Sequence, residues 1–564
     1  MKKNKEKNLL IQIPRRFMKK RTHILKIRFL FILLALGISS GIAQPLATAN
    51  YAFQTGTLGS GYDWIDCSAG TNIVTGDDSQ SSISWPFTFT FYGNTYTTAN
   101  SLSVAANGFI RLDGVAAGNN YSASNAYDLT ASATNFGQII SLAMYDNYVG
   151  RTATSWVKYL VTGSAPYRVL TIEYNDLNTP YYSSTNFTDV EVSFYETTNK
   201  VVLKLGDDNI TTAGVDMGIH SGVSGYFHKW QEVENGTNNT WIEYSLPIQV
   251  ESSLGTPIAY YQNLKTAFDN INSGKHQGNI TIKVNESTLE TASAVLNASG
   301  AGSASYTNVT IFPTSSGKSI TGSIAAPLID LNGADNVIVD GRVNATGTST
   351  DLSIINSSTS STANTSTFRF INDASNNAIR YCTIKGSETA TSSGIIYFST
   401  TTSSAGNDGN TISNNDITSA ATSARPVNAI FSLGTSGKEN SENSISNNSI
   451  FDFFRPASNS NGVYLSTNNT AWTVNDNDFY ETTSFASTGT FTYYAIQVND
   501  ITGGGFSISN NHIGGSNIDC GGSAWVKTNT KSNLFYAISL NVGNDIPSSI
   551  QNNTIQNLVL QDLE

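Results

Sequence analysis

One six-residue pattern returns through the second half of the chain and limits the fold more than any other feature. Ile412-Ser-Asn-Asn415-Asp-Ile417 recurs as Ile445-Ser-Asn-Asn448-Ser-Ile450, Val474-Asn-Asp-Asn477-Asp-Phe479, Ile508-Ser-Asn-Asn511-His-Ile513 and Ile550-Gln-Asn-Asn553-Thr-Ile555. A partial copy, Ile379 to Ile384, precedes them, and from Ile379 the successive offsets are 33, 33, 29, 34 and 42 residues. A second series, marked by Ile396, Ile430, Val463, Ile496 and Ile538, keeps offsets of 34, 33, 33 and 42. Two series holding nearly one period mean a single supersecondary unit stacked on itself, with insertions absorbed in loops.

The pattern has a physical reading. Apolar residues at its first and sixth positions point into a cylinder, and the fourth position is asparagine in every full copy. An inward asparagine at a turn can bond the backbone and the asparagine of the next coil, pairing polar groups that would otherwise be buried alone. Asn415, Asn448, Asn477, Asn511 and Asn553 are therefore expected to form a ladder. Cys382 takes this slot in the partial copy and is expected to be a buried structural thiol. Upstream, Leu264, Ala267, Phe268 and Ile271 fall at helical spacing, and Ile280-Thr281-Ile282-Lys283-Val284 follows as a strand. A short helix placed there would cover the exposed edge of the first coil.

These coils resemble the right-handed parallel β-helix repeats of the pectin-lyase-like superfamily. The run Leu328-Ile329-Asp330-Leu331-Asn332-Gly333 to Asn336-Val337-Ile338-Val339-Asp340-Gly341 is similar to the early coils of such helices. The resemblance implies that an enzyme of this kind would carry clustered aspartates with a histidine, or Ca²⁺-binding acids with a basic residue, on one strand face. Acid pairs for glycoside hydrolysis stand about 5 to 9.5 Å apart. Asp416 and Asp478 come nearest to such a pair, but Ser449 holds the equivalent slot in the coil between them. Asp476 and Asp478 sit two apart at a turn, and His512 follows Asp478 one coil later. Arg342, Arg369, Arg380, Arg425 and Arg455 fall at different points of their coils and make no basic stripe.

The first half reads differently. In Trp85-Pro86-Phe87-Thr88-Phe89-Thr90-Phe91 the aromatics alternate strictly, and Val190, Val192 and Phe194 alternate with Asp189, Glu191 and Ser193 before a turn into Val201-Val202-Leu203-Lys204-Leu205. Short strands with turns between them predict a β-sandwich. Four pieces together resemble a module of large secreted bacterial proteins, especially those exported by the type IX pathway: Ile83 to Phe87 with Phe91-Tyr92-Gly93, Asn107-Gly108-Phe109-Ile110, Gly163 to Leu170, and Phe194 to Asn199. Asp77-Asp78 and Asp207-Asp208 sit in loop-like contexts that would suit Ca²⁺. His220 and His228 flank a glycine-rich turn without a third ligand at metal spacing.

Basic residues through Arg28 lead into the apolar run Phe29 to Leu36 and then Gly41-Ile42-Ala43, the layout of a secretory signal peptide cleaved after Ala43. Met18-Lys19-Lys20-Arg21 would also make a well-proportioned start. Residues 1 to 28 hold 11 Lys and Arg and one acid, so the remainder carries 20 basic and 41 acidic residues, a net of −21. Such a surface repels phosphate backbones and anionic lipid, which excludes nucleic acid as an expected partner. Three cysteines, Cys67, Cys382 and Cys520, are too scattered for a disulfide scaffold.

The expectation is an all-β protein: a signal peptide over 1–43, a β-sandwich over 51–250, and a right-handed parallel β-helix with a short capping helix over 256–564. The chain stops at Asp562-Leu563-Glu564 just past a repeat, so the helix is expected to be incomplete. No catalytic, cofactor or metal residues are assigned, and Ca²⁺ is the one cofactor the acidic loops would suit. The expected role is a non-catalytic, secreted surface or adhesion protein that contacts extracellular glycans or surface polymers. The mature chain carries no second apolar run of membrane-spanning length. Tyr464, Trp472, Tyr480, Tyr493 and Tyr494 are among the aromatics that could stack on sugar rings, although several must be core. The alternative is a polysaccharide lyase or glycoside hydrolase working along the helix groove.

Overall fold

A computed structural model describes residues 51–116, 137–183, 185–210, 215–222, 227–232, 239–528 and 531–560. The expected signal peptide and the terminal residues Asp562-Leu563-Glu564 lie outside them. Among the described residues, 51 to 245 form one two-stranded hairpin, Phe89–Phe91 with Asn94–Tyr96, and two large antiparallel sheets. One runs through Ala52–Thr57, Thr240–Ser245, Val201–Asp208, Phe187–Tyr195 and Val169–Asn178; the other runs through Asp216–His220, Ile139–Met144, Phe109–Arg111, Ser101–Ala105 and Gln80–Ser84. Val190, Val192, Phe194, Leu203 and Leu205 from the first meet Leu102, Val104, Ile110, Ile140 and Leu142 from the second. The alternating aromatics Trp85, Phe87, Phe89 and Phe91 all enter this core, Trp85 lying parallel to Phe89 at 5.1 Å.

Alternation along Phe187–Tyr195 implies one face in water, yet Glu191, Ser193 and the cross-strand Lys204 are all fully buried. The segment 62–68 lies over that face. Lys204 Nζ binds Glu191 Oε1 at 2.6 Å and the Asp63 carbonyl at 2.7 Å, while Glu191 accepts from the Ile65 amide. Glu173 accepts from the Cys67 amide and the Trp64 indole, and burial lifts its carboxyl to a pKa of about 7.

The strand Ile248–Gly255 runs antiparallel to His276–Val284 and joins the first of the coil sheets. Ile248 and Val250 point into the core of the coils. Their two-residue alternation fits either core. The helix Leu264–Asn272 then lays Leu264, Ala267, Phe268 and Ile271 on the first coil.

From His276 onward three parallel sheets of eleven, nine and eight strands wind as a β-helix; the eleven include the antiparallel leading strands. Registered columns fill its interior. Val339, Ile379, Ile412, Ile445, Val474 and Ile508 stack in one sheet, and Ile354, Ile384, Ile417, Ile450, Phe479 and Ile513 in the next. Each is fully or almost fully buried, worth about 1.5–3 kcal/mol per side chain against exposure.

Between these two columns the chain turns on asparagine. Asn415 Nδ2 donates to Asn448 Oδ1 at 3.0 Å, Asn448 to Asn477 at 2.9 Å, Asn477 to Asn511 at 3.0 Å and Asn511 to Asn553 at 2.8 Å. Each oxygen also accepts from the backbone amide of the preceding member, and Cys382 stands at the head of the column with its amide on Asn415 Oδ1. The Cys382 side chain is fully buried against backbone, and that burial pushes its thiol pKa upward. Two further stacks were not read from the sequence: Asn377 to Asn410 to Asn443, and Asn407 to Asn440.

Candidate functional site

The outward face of the eight-stranded sheet carries its own column, because every second residue of a strand turns away from the core. Asp330, Arg369, Tyr397, Phe431, Tyr464 and Gln497 follow one another in register, and Asn428, Asn461, Tyr494 and Tyr536 form a second registered column three residues earlier, across consecutive core residues such as Ala429-Ile430 and Ala495-Ile496 that interrupt the alternation. The first is closed at one end by a bidentate Arg369–Asp330 pair, with bonds of 2.9 and 2.7 Å. Tyr397 and Phe431 are nearly covered, whereas Tyr464 and Tyr494 are half-exposed.

Beside Tyr464 and Tyr494 the surface hollows into a cavity of about 460 Å³. Phe491 and the strand amides Asn428, Asn461 and Gln497 line it, with Ser458, Asn459, Thr391 and Val427 from the loops. Tyr494 lies parallel to Tyr536 at 5.0 Å, and Tyr464 packs against Phe431 at 5.4 Å. Every lining side chain is uncharged. The volume lies within the range of small-ligand sites, roughly 300–1,000 Å³.

Charge is present, but underneath. Arg425 binds Glu481 and Asp452, Asp452 accepts from the Thr482 amide and hydroxyl, and Glu481 accepts from the Phe454 amide. Arg455 donates to the Arg425 carbonyl. This buried network ties together the loops that bring Val427, Ser458 and Asn459 to the cavity. Glu388, on the neighbouring loop, is sealed from water, and burial raises its carboxyl well above the carboxylate range. Glu481 and Glu388 escaped the sequence reading because both sit in loops outside the repeated pattern.

The other sequence candidates fall as follows. Asp478 and His512 come together across adjacent coils, Nδ1 to Oδ1 at 3.1 Å, and Asp519 approaches the same ring nitrogen at 3.3 Å. Asp519 is largely exposed and its amide donates to Asp478. Asp416 stays two coils from Asp478, with Ser449 between them in register. Asp476 takes a left-handed turn. Arg342 and Arg380 both bind Asp340.

Trp472, Tyr480 and Tyr493 are buried rather than available to a ligand, since they pack against Phe398, Phe451 and Phe454. His220 and His228 lie on neighbouring strands, paired with Phe227 and Ile219, so they face opposite ways and do not converge. Asp207 is exposed, while Asp208 caps the Ile210 amide. Asp77 and Asp78 meet a third acid, Asp146. All three cysteines are free and buried. Among the described residues no helix is long and apolar enough to cross a membrane.

A family model described as NIDO related matches residues 50–251. No curated protein matches the chain. Among solved structures, the surface protein and adhesin PfbA of Streptococcus pneumoniae is 14% identical, over 53% of this chain and 93% of that one, at a TM-score of 0.23. The catalytic domain of Agl-KA is 11% identical, over 90% of this chain and 98% of that one, at a TM-score of 0.19. Likeness this slight leaves the fold to rest on the strand pairing itself.

Proposed function

We propose that this chain is an extracellular surface protein whose β-helix is a stiff carrier and whose cavity at Tyr464 and Tyr494 binds a sugar ring of a surface polysaccharide. One observation carries the reading: two half-exposed tyrosines, each packed against a neighbouring ring, share an uncharged cavity with Asn428, Asn461 and Gln497. Aromatic faces receive the C–H side of a pyranose, and amides both donate to and accept from its hydroxyls. A neutral lining suits binding better than glycosidic cleavage, which needs carboxyl groups beside the scissile bond. The fit of residues 50–251 to the NIDO-related model and the leader-like N-terminus support an extracellular setting.

The test is a glycan-array screen of residues 44–564, with product release from pectins and other acidic polysaccharides followed with and without Ca²⁺. Saturable binding is expected to fall about tenfold, or roughly 1.4 kcal/mol, in Tyr464→Ala and Tyr494→Ala with the far-ultraviolet spectrum unchanged. Binding that ignores both substitutions removes the cavity from the account. Reducing-end or unsaturated products would replace the binding reading with catalysis and direct attention to Asp478 and His512.

A further inference from the structure

Asp77 ends the short strand Gly76–Asp77, which pairs antiparallel with Tyr148–Val149 through Asp77 to Tyr148 and Val149 to Gly76. That pairing returns the loop before Tyr148, and with it Asp146, onto Asp77 and Asp78. One carboxylate oxygen from each of the three lies within 4.8 Å of the others.

The loop is held firmly. Asn107, itself 1% exposed, donates to Asp78 Oδ1 at 3.0 Å and accepts from the Asn147 amide at 3.0 Å. Asn147, fully buried, donates to the Ala143 carbonyl at 2.8 Å and accepts from Thr179 Oγ1 at 2.6 Å. Gly108 makes the approach possible, since a Cβ there would stand 2.1 Å from the Ala143 carbonyl oxygen. Asn107-Gly108 thus forms the floor under the acids.

A second observation sets this cluster apart from a solvated acidic loop. Asp146 is only 8% exposed, and among the described residues the groups acting on its carboxylate are the acids Asp77 and Asp78, with no hydrogen-bond donor and no cation. Arg151 lies over the Tyr148 ring at 4.6 Å, and its charge acts on Asp77 rather than on Asp146. Buried charges are ordinarily paired or bound to a metal. The carboxyls of Asp77 and Asp146 are both shifted upward, first by burial and then by the neighbouring acids.

We propose that Asp77, Asp78 and Asp146 form a calcium site at the edge of the sandwich, with the buried Asp146 carboxylate as its inner ligand. Ca²⁺ takes roughly six to eight oxygen ligands and accepts carboxylates as one- or two-oxygen donors, so three carboxylates fill three to six positions and water completes the shell. Nitrogen and sulfur ligands are absent from the cluster, which disfavours zinc. The exposed Asp207 and the buried Asp208, which caps the Ile210 amide, take no part.

Isothermal titration of CaCl₂ into the chelator-treated full chain tests this. Saturable binding is expected with Kd near the range of extracellular modules, about 0.1–1 mM. Both Asp146→Asn and Asp77→Asn should weaken it at least tenfold, while Asp207→Asn leaves it unchanged. The parent's unfolding temperature should rise by a few degrees at saturating Ca²⁺, and either variant's should not. Absence of saturable heat in the parent up to about 10 mM, well above that range, overturns the proposal. So does a folded Asp77→Asn protein that binds as the parent does.

Discussion

Each of the two central asparagines in the repeated Ile-Ser-Asn-Asn-x-Ile motif has its own task. Asn414, Asn447, Asp476, Asn510 and Asn552 occupy the first central slot and all adopt φ between 54° and 57°. Asn and Asp tolerate that left-handed conformation better than other residues bearing a Cβ. The second asparagine then turns inward and bonds to both neighbouring coils. Asn448 shows the load on one residue: its oxygen accepts from Asn415 twice, and its amide donates to the Ile412 carbonyl and to Asn477. Asn448→Ala should therefore cost about 3 kcal/mol by stranding buried partners, and Asn447→Ala about 1 kcal/mol of backbone strain. Denaturant midpoints of the helix transition check the order; equal midpoints would refute the division of labour. The Asn415 stack was legible because all five copies keep it. The Asn377 stack was not, because Trp472 and Phe506 take its slot in later coils.

At the scale of elements, the leading end of the β-helix depends on contacts no local pattern announces. The helix Leu264–Asn272 was legible from its apolar spacing, but its N-terminal amides are satisfied from two sources. Asn263 accepts from the Thr266 amide, and Glu290 reaches in from the first coil to accept from Leu264 at 2.9 Å and Lys265 at 3.0 Å. Beside it His276 is fully buried, bonded to the Tyr261 hydroxyl at 2.6 Å and the Thr256 carbonyl at 2.8 Å. Burial, helped by the nearby Lys275 charge, holds its pKa down to about 4 from an ordinary 6.5. The neutral ring is the form the fold prefers, so its contribution is complete above pH 6.5 and is lost as pH falls toward 4. A shift of that size corresponds to about 3 kcal/mol. His220 and His228 are also held near 4, so these rings lower the unfolding temperature as pH falls from 6.5 to 4, against the raised carboxyls of Glu173 and Glu388, whose protonation favours the fold over the same range. His276→Gln should flatten part of that slope. A variant with the parent's pH profile would show that His276 does not titrate on unfolding.

Across the whole molecule, stability in the coils is a sum over nearest neighbours, because each coil touches mainly the ones before and after it. The register makes this testable. Ala378 pairs with Thr411, so residues 378–410 are one coil, and their excision brings Asn377 to Thr411 as Asn410 is in the parent. The shortened chain should fold with the same spectrum per residue and melt cooperatively. Removing one residue more, 378–411, puts Ile412 in an outward slot and reverses every side chain of that strand, so it should not fold. If both deletions behave alike, registered stacking is not what holds the coils.

The sequence by itself determined the all-β class, the coil period, the inward isoleucines, the Asn415 stack and the capping helix, because each repeats or alternates with the geometry of its element. It could not show which polar faces are covered. Glu191, Ser193 and Lys204 alternate as a solvent face would, and are buried because residues 62–68, remote in sequence, lie across them. The same holds for Tyr464 and Tyr494 against Trp472, Tyr480 and Tyr493: composition offers five aromatics alike, and the packing of adjacent coils leaves two half-exposed. Asp146 joins Asp77 and Asp78 only through strand pairing. Periodicity fixes a residue's direction within its own strand; what lies opposite is decided by chain returning from far away.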